Sequence, residues 1–230
     1  VVSPADADQF RQAQAGIRAL VEQDLTKFWS YVDLSNPERA ATAFRAYVPQ
    51  LVRRYGSDAA ELAADWYEVQ REIAGAAVRF MAEPVASPYE DAVDGMVQRA
   101  VGGLWTPDQS STLATLTANV GKYVLAASRA TIAHNVSRDP SASGWQRVTR
   151  AGACDFCRML EGRGGVYRRE SVHFASHGDC NCAAVPSWDQ SAPEVDVRLY
   201  EASKRTTRMT PAQREQHNAL IQRAIAQYVA

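Results

Sequence analysis

The sequence has few cysteines, no long apolar run and no excess of either charge, and each shortage excludes something. Of 230 residues, 25 are Lys or Arg and 26 are Asp or Glu, for a net charge of −1. That balance argues against a polybasic nucleic-acid binder and against an acidic tail protein. No apolar stretch approaches the roughly 18 residues of a membrane span, so no membrane partner is expected. The first residues, Val1-Val2-Ser3-Pro4-Ala5-Asp6, lack the basic and apolar regions of a signal peptide. They also lack an initiator Met, so the native chain is expected to begin earlier. There is no Gly-x-Gly-x-x-Gly, no phosphate loop, no His-Glu-x-x-His and no Gly-x-Ser-x-Gly. Nothing therefore points to a common nucleotide-binding, zinc-protease or serine-hydrolase site. A hydrophobic content of 46% with 22% charged residues is ordinary for a globular protein and excludes wholesale disorder.

What is present is helical periodicity. Apolar residues recur at helical spacing from Phe10 through Leu25 to Val32, and again from Phe44 to Tyr55. A third set runs Leu62, Trp66, Val69, Ile73 and Phe80, a fourth Val93 to Leu104, and a fifth Leu113 to Ala127. Gly56 and Ser57 are read as the break between the second and third helices, and Pro84 to Pro88 as the break between the third and fourth. Gly121, inside the fifth, costs about 1 kcal/mol against Ala. Ser3-Pro4, Ser87-Pro88, Thr106-Pro107 and Thr210-Pro211 share one grammar of helix start. A hydroxyl cap precedes proline, and an acid or amide two residues further on can reach back. Asn36-Pro37-Glu38 is a looser version.

The turn-rich run Ser137 to Gly144 marks a change of character. Acidic side chains outnumber basic ones before it and basic ones outnumber acidic after it. The reading is a helical domain over 1–140, a short-strand Cys/His module over 141–192, and C-terminal helices over 193–230. Short strands are expected at Trp145–Val148, Gly165–Arg168 and Cys182–Pro186. Helices are expected near Val195–Arg205 and Pro211–Val229, the latter with Leu220, Ile221, Ala224, Ile225 and Tyr228 on its stripe. The fold class is thus mainly α, an elongated helical region followed by a small α+β module with a zinc-knuckle-like cluster and C-terminal helices.

All four cysteines, Cys154, Cys157, Cys180 and Cys182, fall in the one segment that is not helical. Cys154-Asp155-Phe156-Cys157 is followed by His177-Gly178-Asp179-Cys180-Asn181-Cys182. Two thiols separated by two residues can reach one tetrahedral ion, and His177 with Cys180 repeats that spacing. Five candidate ligands compete for four places, with either Cys180 or Cys182 the spare and His173 a weaker sixth. Structural Zn²⁺ suits this set. Paired disulfides and a catalytic Cys–His pair are the alternatives. Three other features have blander readings: Glu61, Asp65, Glu68 and Glu72 as a solvated helix face rather than a cation site, the basic–aromatic patch of Arg163, Arg168 and Arg169 with Tyr167 as a few exposed arginines on a hairpin rather than a nucleic-acid contact, and the sequon Asn135-Val136-Ser137 as accidental.

Trp145–Val148, then Cys154-Asp155-Phe156-Cys157-Arg158-Met159-Leu160-Glu161-Gly162, then His177-Gly178-Asp179-Cys180-Asn181-Cys182-Ala183-Ala184-Val185-Pro186, all following a helical region, form a recognisable order. It resembles the Mu-F-type minor head proteins of tailed bacteriophages, in the form found in phages of actinobacteria. The resemblance is close over roughly 145–186. It implies a structural head-morphogenesis protein present in multiple copies, bound to the portal protein inside the capsid near the portal vertex and assembled in the host cytoplasm. Major capsid or scaffold protein and packaged DNA are further partners it suggests. It would make Cys154, Cys157, His177, Cys180 and Cys182 the motif's cysteine–histidine set. A capsid maturation protease and a DNA-contacting head protein are the alternative functions, and no protease motif is visible in these residues.

Overall fold

The computed structural model describes residues 2–150, 152–163, 165–168, 174, 176, 180, 182–195 and 210–229. Helix α1 spans Pro4–Tyr31, α2 Pro37–Ile73, α3 Glu90–Ala100 and α4 Ser110–Arg138, with a 3-10 turn at Val101–Trp105. Strand β1 is Gly144–Val148, helix α5 Asp155–Gly162, strand β2 Ala183–Ser187 and helix α6 Pro211–Val229. Among the described residues the chain is therefore mainly α with one small two-stranded sheet. No helix among the described residues is long and apolar enough to cross a membrane.

Three helix starts follow the sequence grammar. The Ser3 hydroxyl accepts the Asp6 amide at 3.1 Å and donates to the Asp6 carboxylate. The Asn36 side chain accepts the Arg39 amide. Thr210 and Gln213 exchange reciprocal bonds at 2.9 and 3.3 Å, the capping box in full. The other two starts differ. Helix α4 begins at Ser110, because the Thr106 hydroxyl turns back to the carbonyls of Gly103 and Asp108. Helix α3 begins at Glu90 with no side-chain cap, because the backbone before Ser87 is pinned in extended form on α4.

The expected break at Gly56-Ser57 is absent, and the second and third apolar sets lie on the single helix α2. The cause is packing. Gly56, Ala59, Ala60, Ala63 and Ala64 are small and buried, and α4 lies along them, with Ala127 against Gly56. A Cβ added at Gly56 would meet the Ala127 Cβ at 3.7 Å, an ordinary contact. The weak helix propensity of Gly-Ser is outweighed by a long buried face. Helix α2 even carries Pro49 in its interior. Gly121 has its own reason: the Arg18 side chain crosses directly over it, and a Cβ there would lie 2.7 Å from Arg18 Cγ.

Helix α2 ends at Ile73, so Phe80 is not on it. Gly75 adopts φ +70°, and the amides of Gly75 and Ala76 bond back to the carbonyls of Glu72 and Arg71, a Schellman closure that stops the helix. Residues 76–88 then run as an extended strap across α2 and α4. Side chains hold its backbone as a neighbouring strand would. Asn135 accepts the Glu83 amide at 2.8 Å and donates to the Glu83 carbonyl at 2.9 Å. Thr131 accepts the Val85 amide, Glu68 accepts the Ala82 amide, and Arg71 donates to the carbonyls of Ala76 and Val78. Asn135 is fully buried by this work, so the sequon is inaccessible in the folded chain.

Two apolar clusters result. The first joins α1 to α4 through Val21, Leu25, Phe44, Val48, Leu116 and their neighbours. The second runs from Phe10, Tyr67 and Ile132 of the helices into Trp145, Tyr167, Phe174 and the cysteines, so one core crosses the composition break near residue 140. Strand β1 pairs antiparallel with β2, Trp145 opposite Pro186 and Gln146 opposite Val185. Proline is tolerated there because Trp145 turns its own amide and carbonyl the other way, to Tyr167 at 3.1 and 2.8 Å. Tyr167 and Val166 make isolated bridges, not the full strand expected at Gly165–Arg168. Asp139, just past α4, fastens the two clusters. It accepts from Arg71 at 2.8 Å, from Tyr67 at 3.1 Å, from the Ser141 amide at 2.9 Å and from Trp188 at 3.4 Å.

Candidate metal centre

Helix α5 presents Cys157 in its first turn, and its amphipathic spacing buries Cys157, Met159 and Leu160 on one side. Cys180 and Cys182 lie just before β2, where every residue is buried. The three sulfurs lie within 4.8 Å of one another, and Cys157 Sγ is 3.9 Å from Cys180 Sγ. Each of these cysteines is at most 2% exposed. Cys154 is exposed at the N-cap of α5 and stands outside the group. His177 and His173 fall outside the described residues, as does most of the helix expected at Val195–Arg205, and so do the side chains of the apolar stripe on α6.

Two buried arginines complete the site, and neither was among the residues singled out from the sequence. Arg129 of α4 donates to the carbonyl of Cys180 at 2.9 Å and to that of Cys182 at 2.9 and 3.1 Å, and reaches Cys180 Sγ at 3.9 Å. Arg147 of β1 reaches Cys157 Sγ at 4.0 Å. The two guanidiniums lie 4.6 and 3.6 Å from the centroid of the Phe174 ring. A signal existed for both. Arg129 lies on the buried stripe of α4 between Leu125 and Ile132, and Arg147 is two residues from Trp145, on the same side of the strand.

The electrostatics favour one thiolate shared among three sulfurs. Hydrogen bonds from Cys157 and Cys182, aided by Arg129, hold the Cys180 thiol far below its ordinary pKa. Hydrogen bonding to Cys180 and Cys182, then burial, pushes Cys157 far up. Cys157 pulls the Cys182 thiol down, but Cys180 and burial together push it higher. Such a set could hold a metal ion. Around tetrahedral Zn²⁺ with sulfur at about 2.3 Å, neighbouring sulfurs are about 3.8 Å apart, close to the 3.9 Å between Cys157 and Cys180. Guanidinium N–H groups beside the sulfurs would offset the negative charge of several thiolates, as outer-shell donors do in metal sites.

Elsewhere the carboxylate row takes its blander reading. Glu61, Asp65, Glu68 and Glu72 all lie exposed along α2. The basic–aromatic patch does not form: Tyr167 is 1% exposed and stacked on Trp145 at 4.4 Å, and Arg168 donates to the Ala192 carbonyl. Arg169 lies outside the described residues.

Against known proteins, a family model described as VG15 protein matches residues 1–206 of the chain. No curated protein and no solved structure matches it.

Proposed function

The chain belongs to the VG15 family, and from that premise we propose that it is a structural minor head protein of a tailed phage. It acts in head morphogenesis, in several copies, bound to the portal inside the capsid. The family match over residues 1–206 carries this reading. The order of elements supports it: a helical frame with large exposed faces, followed by a compact thiol-rich module. The module is a rigid staple in which zinc is held by Cys157, Cys180 and Cys182, with His177 as fourth ligand. Zinc supplies folding free energy to a segment with little core of its own. The sulfurs are packed against one another and sealed from solvent, a poor placement for a nucleophile, which needs an exposed low-pKa thiol.

Heads assembled with and without the portal protein test the proposal. The chain should be present in heads that contain portal and absent from portal-less heads; normal incorporation without portal would overturn it. Zinc in the purified full chain should reach one ion per chain, and falls away in Cys180→Ala and in His177→Ala.

A further inference from the structure

Beside the thiol cluster, between α4 and the strap, lies a cleft of about 460 Å³. Its long walls are apolar, with Ala130 and Ala133 on α4 facing Val85 and Pro88 on the strap. Arg129 lines one end, 2% exposed and fixed in place by the carbonyls of Cys180 and Cys182. Phe174 lies against the guanidinium there. His134 and Ser137 lie at the other end. Positive charge is concentrated around this cleft. Arg147 lies on the same Phe174 ring as Arg129. Glu83, beside His134, is engaged by Arg138 and sits 3.7 Å from the imidazole.

A buried guanidinium at the end of a hydrocarbon-walled cleft selects for charge at one end of a ligand and bulk along the rest. A cation would be repelled by Arg129. A small inorganic anion would leave the apolar walls wet. We infer that the cleft binds an organic carboxylate with an apolar body, its carboxylate at Arg129 and its body along Ala130 and Ala133. This chemistry has two sources, a free apolar monocarboxylate or the C-terminal carboxylate of a partner chain ending in an apolar residue. Because Arg129 also holds the two cysteine carbonyls, an occupant of the cleft touches the same guanidinium that positions the metal loop.

Calorimetric titration of the full chain, with its metal as purified, tests the inference. Phenylbutyrate should bind about tenfold or more tighter than phenylbutanol or phenylbutylamine of the same shape. Ala130→Leu and Ala133→Leu, which fill the cleft from an α-helix without removing a polar contact, should each weaken it by about tenfold while helical signal and metal content stay unchanged. A second arm uses the tripeptide acetyl-Ala-Ala-Phe with a free C-terminus. Tighter binding than phenylbutyrate assigns the site to a partner's C-terminus, and weaker binding assigns it to a free monocarboxylate. Equal affinity for the alcohol or the amine, full affinity in both leucine variants, or no binding of either carboxylate would overturn the inference.

Discussion

The cluster between α1 and α4 and the cluster beneath the sheet are held by different means. The first is aliphatic and aromatic packing spread over many residues of four helices, with Val21, Leu25, Phe44, Val48, Leu116 and Val120 fully buried. The second is also apolar, from Phe10 and Tyr67 to Trp145 and Tyr167, but it encloses a few polar keystones: Asp139 tying α2 to the turn after α4, Arg129 on the Cys180 and Cys182 carbonyls, and Arg147 beside the Cys157 sulfur. A core of the first kind loses stability in increments and tolerates rearrangement. A core of the second kind is close to all-or-none, because each buried charge that loses its partner is left uncompensated.

The largest effect should come from removing a thiol. Cys157→Ser is expected to abolish metal retention and open the sheet module while leaving the α1–α4 cluster folded. Hydrogen exchange would show amides of β1 deprotected and those of α2 unchanged; equal deprotection of both would erase the distinction between the two cores. Asp139→Ala comes next, at about 3–5 kcal/mol, since it strands Arg71, which is 8% exposed, and loosens both clusters together.

The same carboxylate gives the contrast a pH signature. Burial pushes Asp139 up, but Arg71, the Ser141 amide and Trp188 together bring it below its ordinary value of 3.8. With the folded pKa depressed, the stabilisation is fully present above the unfolded value and is lost as pH falls through the folded one. Acid unfolding below about pH 4 should therefore begin at the junction of the two clusters, and that low-pH loss should vanish in Asp139→Asn. Leu116→Ala, in the first cluster, should cost about 2–5 kcal/mol with metal content intact. The smallest pair of changes concerns two glycines on facing helices. Gly56→Ala should stabilise by about 0.5–1 kcal/mol, because its new methyl meets Ala127 at 3.7 Å. Gly121→Ala should destabilise, because Arg18 occupies the space. Denaturant midpoints of the two variants moving in the same direction would contradict this difference between the α2 and α1 faces of α4.

Much of the helical frame was legible because its signals are local. The caps at Ser3, Asn36 and Thr210 act within three residues, and the spacing of Phe10, Val21 and Leu25 is written in the chain itself. What was not legible depended on a neighbour. Gly56-Ser57 reads as a break until α4 is laid against it, and Ser87-Pro88 reads as a cap until Asn135 and Thr131 fix the strap before it. At the site, the cysteines announced themselves by clustering. Arg129 and Arg147 were hidden in plain view, since a charge on an apolar stripe is visible in sequence but its partners, the carbonyls of Cys180 and Cys182, are not. Tyr167 was the reverse case, an apparent surface aromatic that long-range pairing with Trp145 draws inside.

The pairing of β1 with β2 also sets an order of events in time. By joining 144–148 to 183–187, it seals the whole cysteine segment into one long loop. Closing such a loop sacrifices chain entropy before its few ladder bonds form. The helices, whose own backbone bonds close within four residues, need no such wait. Refolding should accordingly be biphasic, a rapid burst of helix followed by a slower step in which the sheet shuts, and the rate of that second step should rise with the concentration of zinc.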